Sequence, residues 1–135
     1  MKEWSQNDLR VYINTTTPGA TTPTFAPAIE FESPSSVGDV AVSDMNQDGI
    51  PDIVISSHSD YERSLSVFLN YTAPGSTTLN LGPRQDLYGG YEPVTVELAD
   101  VNADGLVDVI TPIRENSWGR HVAIRLNRTL PGSDS

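Results

Sequence analysis

Apolar residues along this chain fall in short runs between polar turns, and most of the runs follow a period of two. Val40 and Val42, then Val94, Val96 and Leu98, alternate with small or polar residues. Leu9/Val11/Ile13, Leu65/Val67/Leu69 and Val122/Ile124/Leu126 alternate in the same way. Ile53-Val54-Ile55 and the run from Val107 to Ile110 are continuous, as expected of strands covered on both faces. Weaker strands are expected from Phe25 to Phe31 and from Leu79 to Leu87. No stretch sustains a helical period, and ten prolines with ten glycines punctuate the chain. The pattern predicts an all-β fold.

The strands recur at a fixed spacing. Asp44-Met45-Asn46-Gln47-Asp48-Gly49-Ile50-Pro51-Asp52-Ile53-Val54 returns 56 positions later as Asp100-Val101-Asn102-Ala103-Asp104-Gly105-Leu106-Val107-Asp108-Val109-Ile110. Leu9 to Asn14 returns as Leu65 to Asn70 at the same offset, and again as Val122 to Asn127 one residue later than the period. Each of these copies runs into a Pro-Gly turn, at Pro18-Gly19, Pro74-Gly75 and Pro131-Gly132. The unit is a four-stranded antiparallel meander of about 56 residues. Numbering strands by their place in the unit, the chain reads 3-4, then 1-2-3-4, then 1-2-3.

Stacked four-stranded units at this period predict β-propeller blades, about two per chain. The expected organisation is one repeat domain over 1–135, with a partial blade at 9–36, a complete blade at 37–92 and a partial blade at 93–135. Propellers have roughly 4–8 blades. The expected partners are therefore further copies closing a ring as a homo-oligomer, or the rest of a longer propeller chain.

Charge and composition narrow the function. Eighteen acids against eight bases give a formal charge of −10, which argues against nucleic acid as a partner. There is no cysteine, so a disulfide scaffold and thiolate-bound zinc are excluded. No apolar run approaches the ~18 residues of a membrane helix, and no membrane insertion is expected. Residues 1–10 lack the apolar core of a signal peptide.

The repeated turn reads Asp-x-Asn-x-Asp-Gly-x-x-Asp between two strands. It offers four side-chain oxygens: Asp44, Asn46, Asp48 and Asp52 in the first copy, Asp100, Asn102, Asp104 and Asp108 in the second. The carbonyl of Ile50 or Leu106 is a fifth donor. Hard oxygen ligands with three carboxylates suit Ca2+, whereas Mg2+ keeps its waters and rarely takes an all-protein cage. Two calcium sites per chain are expected. The loop is not an EF-hand, because its twelfth position is Ile55 or Thr111 rather than a bidentate Glu, and its flanks read as strands.

These two loops, each followed by an apolar strand, resemble the FG-GAP/VCBS repeats of integrin-α-type β-propellers. The segment Ser66-Val67-Phe68-Leu69-Asn70 with its Pro-Gly turn is similar to the third strand of those repeats. The Phe-Gly and Gly-Ala-Pro signatures of the family name are not evident here. The resemblance implies calcium at the same ten residues. It also implies a role in adhesion, in carbohydrate or protein binding, or as an accessory module of a secreted enzyme, and so an extracellular or cell-surface location.

The loops between strands 2 and 3, Ser57 to Ser64 and Pro112 to Arg120, each carry an aromatic residue two positions before an arginine. The pairs are Tyr61 with Arg63 and Trp118 with Arg120, and they are candidate ligand-binding residues for a sugar or an acidic group. Tyr88-Gly89-Gly90-Tyr91 is expected to form a neighbouring wall. His58 and His121 read as ordinary loop residues. Asn14, Asn70 and Asn127 each begin an Asn-x-Thr sequence at a strand end, where turn capping is the expected role. No nucleophile elbow, phosphate loop or metalloprotease motif occurs, so the chain is expected not to be an enzyme.

Overall fold

The computed structural model describes residues 8–58, 64–90, 92–115 and 119–129. Every helix or strand among them is a strand: β1 (Asp8–Val11), β2 (Ile29–Glu32), β3 (Val37–Ser43), β4 (Asp52–Ser57), β5 (Ser64–Phe68), β6 (Gln85–Tyr88), β7 (Glu97–Ala99), β8 (Asp108–Glu115) and β9 (Gly119–Arg125). They form three antiparallel sheets in chain order, β1-β2, β3-β4-β5-β6 and β7-β8-β9. The all-β fold and its blade-like meanders are thus as the repeat predicts, although the described strands do not close a ring.

Cross-strand partners in the middle sheet share a face. Ala41, Val54 and Val67 are aligned across β3, β4 and β5, and Leu65 lies opposite Leu87 on the same side. Val54, Leu65 and Val67 join Met45, Leu69, Val96 and Val109 in one buried cluster, so this side packs against the third sheet. The backbones come close there. A Cβ built on Gly38 would stand 2.6 Å from the Val94 carbonyl oxygen, so only glycine fits. Asp39 of β3 adds a polar tie, its carboxylate accepting the Val96 N–H at 3.2 Å.

The other face of the middle sheet carries Val40, Ile55, Val42, Ile53 and Phe68. Ile55 and Phe68 are buried, but Val40 and Val42 are 46% and 60% exposed. On the third sheet, Val109 points into the core, while Val122 and Ile124 are 66% and 54% exposed. The alternation in the sequence is therefore real, yet it leaves Val40 and Val42 on the middle sheet and Val122 and Ile124 on the third largely exposed.

Two expected elements differ. The strands expected from Phe25 to Phe31 and from Leu79 to Leu87 are regular only at Ile29–Glu32 and Gln85–Tyr88. Phe25 and Leu81 make single bridges to Asn14 and Asn70. Pro27 and Pro83 lack the N–H that would continue the ladder. Second, Pro112 to Arg120 is mostly not a loop. β8 runs to Glu115, β9 starts at Gly119 and Arg114 faces Arg120, while 116–118 lie outside the described residues. Among the described residues, no helix is long and apolar enough to cross a membrane.

Candidate metal centre

The two repeated turns join β3 to β4 and β7 to β8, and they carry the same hydrogen bonds. In the first, the Asp44 carboxylate accepts the Asp48 N–H at 3.1 Å and the Gly49 N–H at 2.8 Å. The Asn46 Oδ1 also accepts the Asp48 N–H, at 3.2 Å, and its Nδ2 donates to Asp48 Oδ2 at 3.0 Å. Asp48 Oδ1 accepts the Ile50 N–H at 2.7 Å. In the second, Asp100 accepts from Asp104 and Gly105 at 3.2 and 2.8 Å, and Asn102 accepts from Asp104 at 3.0 Å. Asn102 donates to Asp104 at 2.8 Å, and Asp104 accepts from Leu106 at 2.8 Å.

Backbone conformation repeats as closely. Gln47 and Gly49 have φ of 59° and 85°, and Ala103 and Gly105 have 60° and 90°. Two left-handed residues separated by one reverse the chain within a few positions, and this brings the oxygens of residues 1, 3 and 5 around one turn. Glycine meets the second requirement without strain. Gln47 and Ala103 meet the first at a cost.

The ninth residue of each loop plays a different part. Asp52 is fully buried, and its two oxygens accept the Met45 N–H and the Asn70 N–H, both at 2.8 Å. Asp108 is likewise buried and accepts from Val101 at 3.0 Å and Asn127 at 2.8 Å. One carboxylate thereby fastens the turn to the start of the segment after strand 3. Burial pushes the Asp52 carboxyl above its ordinary 3.8, with the two amides pulling it back and the charges of Asp48 and Asp44 adding to the rise. Asp104, at the exposed rim, is held below 3.8 by the Leu106 N–H and the Asn102 amide.

The ten expected ligands thus lie on two turns, but they are not all gathered at one point. Among the described residues, no three acidic or histidine side chains form a cluster able to hold a metal. Asp44, Asn46 and Asp48 border a common spot, as do Asp100, Asn102 and Asp104, while Asp52 and Asp108 turn toward the strands. The donor set nevertheless fits a hard cation. A carboxylate has about four lone-pair sites, and each one here uses two for amides, both of them backbone at Asp44, Asp52, Asp100 and Asp108, one backbone and one asparagine side chain at Asp48 and Asp104.

Contacts that sequence reasoning missed tie the two turns together. Gln47 Nε2 donates to the Gly105 carbonyl at 2.7 Å. Asn127 Nδ2 donates to the Met45 carbonyl at 2.8 Å and to the Val107 carbonyl at 3.1 Å. The only sequence signal for these contacts is the asparagine recurring at positions 14, 70 and 127. Its turn-capping role is visible in all three copies, where the side chain accepts the N–H two residues on, from Thr16, Thr72 and Thr129.

Of the candidate ligand-binding residues, Tyr61, Arg63 and Trp118 lie outside the described residues, as does Tyr91. Arg120 is exposed on β9 opposite Arg114. Tyr88 is exposed at the end of β6, its ring 5.9 Å from the Arg125 guanidinium carbon. His58 is an exposed loop residue, and His121 sits in β9 opposite Ile113 rather than in a loop.

No curated protein and no solved structure matches the chain in comparisons with either set. A family model described as FG-GAP-like repeat matches residues 44–111, from the first residue of one loop, through β4, β5 and β6 of the middle sheet, to the strand that follows the second loop. That span covers just over half of the 135 residues and holds both copies of the nine-residue turn. The chain, a β-propeller-type repeat module, belongs to the FG-GAP-like repeat family.

Proposed function

We propose that the chain is a non-catalytic β-propeller repeat module in which calcium staples each strand 1–2 turn. The observation that carries this reading is the double occurrence of one oxygen-rich turn with matching hydrogen bonds and matching left-handed residues. Asp44, Asn46, Asp48 and the Ile50 carbonyl would hold one ion, and Asp100, Asn102, Asp104 and the Leu106 carbonyl the other, with Asp52 and Asp108 contributing a remaining lone pair. The ion would neutralise like charges crowded in a tight reversal, so binding is coupled to folding. Two ions would bring the formal charge from −10 to −6.

The module serves adhesion or the binding of a glycan or protein at an extracellular or cell surface. The exposed Val122 and Ile124 of the third sheet dock further blades, supplied by other copies of the chain in a homo-oligomer or by more of a longer propeller. Tyr61, Arg63, Trp118 and Arg120 are the residues proposed to meet a ligand. The sequence carries no nucleophile elbow, phosphate loop or metalloprotease motif, which supports the non-catalytic reading.

Calorimetric titration with Ca2+ tests the staple. Two ions per chain are expected, falling to one in Asp48→Asn and in Asp104→Asn. Both substitutions keep an oxygen for the backbone amide that the aspartate now accepts, that of Ile50 or Leu106. Absence of calcium binding, or unchanged stoichiometry in both variants, would refute the reading.

A further inference from the structure

The outer edge of β9 carries no strand among the described residues, and beside it lies an open cavity of about 560 Å³. Its walls include Val67, Leu69, Gln85 and Leu87 from the middle sheet, with Val109 and Arg125 from the third. Arg125 is out of place in such surroundings. Its Nε is buried and has no hydrogen-bond partner among the described residues, and its ring contact with Tyr88 satisfies none of its N–H groups. Burying a guanidinium N–H without an acceptor is costly, so the arrangement is incomplete as it stands.

The repeat says what completes it. Strand 3 is β1, β5 and β9 in the three sheets, and in the first two it pairs with a strand 4. Leu9 faces Phe31 and Arg10 faces Glu30 in one, Leu65 faces Leu87 and Ser66 faces Asp86 in the other. The alignment places Val122 and Ala123 at these positions of β9. Both existing fourth strands therefore set a carboxylate across from the residue that Ala123 replaces. Those carboxylates are engaged: Glu30 meets Arg10 at 3.3 Å, and Asp86 meets the Ser66 hydroxyl at 2.6 Å. Residues two apart on a strand share a face, so an acid opposite Ala123 would stand on the same side as Arg125.

We propose that the β9 edge accepts an antiparallel strand from a second copy of this chain, its Ile29–Glu32 strand, with Glu30 set opposite Ala123 and against Arg125. The sequence Ile29-Glu30-Phe31-Glu32 has the required alternation. In this register Ile29 and Phe31 fall beside Ile124 and Val122, the exposed apolar residues of β9's other face, while Glu30 supplies the acceptor that Arg125 lacks. The outer edge of β2 is likewise unpaired among the described residues, so β2 can add to β9 while keeping β1. Main-chain bonds supply the affinity and the charge pair sets the register. The proposal rests on the reading that copies of this chain assemble.

Charge reversal in trans tests it. Mass in solution is measured by sedimentation for the wild type, Arg125→Glu, Glu30→Arg and an equimolar mixture of the two variants, with circular dichroism confirming that each folds. The wild type should assemble, each variant should associate at least about tenfold more weakly, and the mixture should regain wild-type association, since every junction then pairs unlike charges. If Arg125→Glu does not fold, Arg125→Gln with a labelled peptide of residues 25–34 takes its place. The peptide should bind the wild-type chain, and it should lose about tenfold in affinity either on Arg125→Gln or when the peptide itself carries Glu30→Gln. Variants that assemble as well as the wild type would overturn the docking site while leaving self-association standing. A monomeric wild type that binds the peptide would sink the assembly reading and keep the groove. Neither assembly nor peptide binding would overturn the site.

Discussion

Asn14, Asn70 and Asn127 occupy one position of the repeat but make different numbers of bonds, which turns a triple substitution series into a measurement. The Asn14 side chain accepts a single hydrogen bond, from the Thr16 N–H. Asn70 accepts from Thr72 and donates to the Pro51 carbonyl at 2.9 Å. Asn127 accepts from Thr129 and donates to both Val107 and Met45, the latter belonging to the loop of the neighbouring sheet. At about 1 kcal/mol net per bond, truncation to alanine should cost about 1, 2 and 3 kcal/mol in that order. Asn127→Ala should exceed this sum if the Met45 carbonyl is left buried without a donor, since Met45 is only 7% exposed. Urea unfolding reads the differences as shifts in midpoint at constant slope. Replacement by aspartate separates the parts, because it keeps the acceptor that caps the turn and removes the amide donors. Asn14→Asp should be nearly neutral, whereas Asn127→Asp should lose most of what Asn127→Ala loses. Equal losses at the three positions, or a silent Asn127→Asp, would refute the view that this asparagine clamps one sheet to the next.

Backbone strain gives a second test: Ala103→Gly should stabilise by about 0.5–1 kcal/mol because residue 103 sits at φ 60°, while Gly105→Ala should destabilise by roughly 1–2 kcal/mol, both read by thermal unfolding. Space is not the issue at Gly105, where a Cβ would come no closer than 3.7 Å to the Gln47 amide. In the core, Leu65→Ala should cost about 2–5 kcal/mol, measured in urea, since Leu65 is fully buried between the middle and third sheets. With calcium removed by chelator, Asp52 binds its proton more tightly in the native chain than in the unfolded one. Its contribution to stability should therefore fall as pH rises from 3.8 through its higher folded value, and Asp52→Asn should flatten that part of the difference curve. Asp104 acts with the opposite sign, its contribution being lost as pH falls below 3.8.

The sheets were legible because the sequence repeats: the Asp-x-Asn-x-Asp-Gly turn, the alternating strand after it and the closing asparagine each mark a fixed place in the meander. Strand ends were less legible, because proline sets them through a missing N–H rather than through hydrophobicity, as at Pro27 and Pro83. The full length of β8 and β9 was hidden for a related reason, since Arg114 and Arg120 pair across the strands by backbone bonds that do not depend on side-chain polarity. Which apolar face would be covered could not be read either, because Val40 and Val54 look alike in sequence and differ only in what lies across from them. At the site, the residue types were evident but their division of labour was not. Asp52 and Asp44 are both aspartates of one motif, yet only the fold shows that Asp52 is spent on the amides of Met45 and Asn70.

That division changes what the loop does mechanically. A turn that merely held an ion would affect the two strands it joins. Here Asp52 reaches the start of the segment after β5, and Asp108 the one after β9, so each turn gathers three strands of its sheet. Gln47 and Asn127 then carry the connection across to the other sheet through the carbonyls of Gly105 and Met45. Loosening one turn must therefore weaken the other, and substitutions in the two loops should not be additive. Asp44→Ala and Asp100→Ala lie on turns bridged by those two bonds. The double variant should lose less stability than the two single losses combined, by about 0.5–3 kcal/mol, because the first change already frees part of what the second would break. Urea titration of the four proteins measures this coupling directly. Strict additivity would show that the loops are independent staples and that the bridges between them carry no energy.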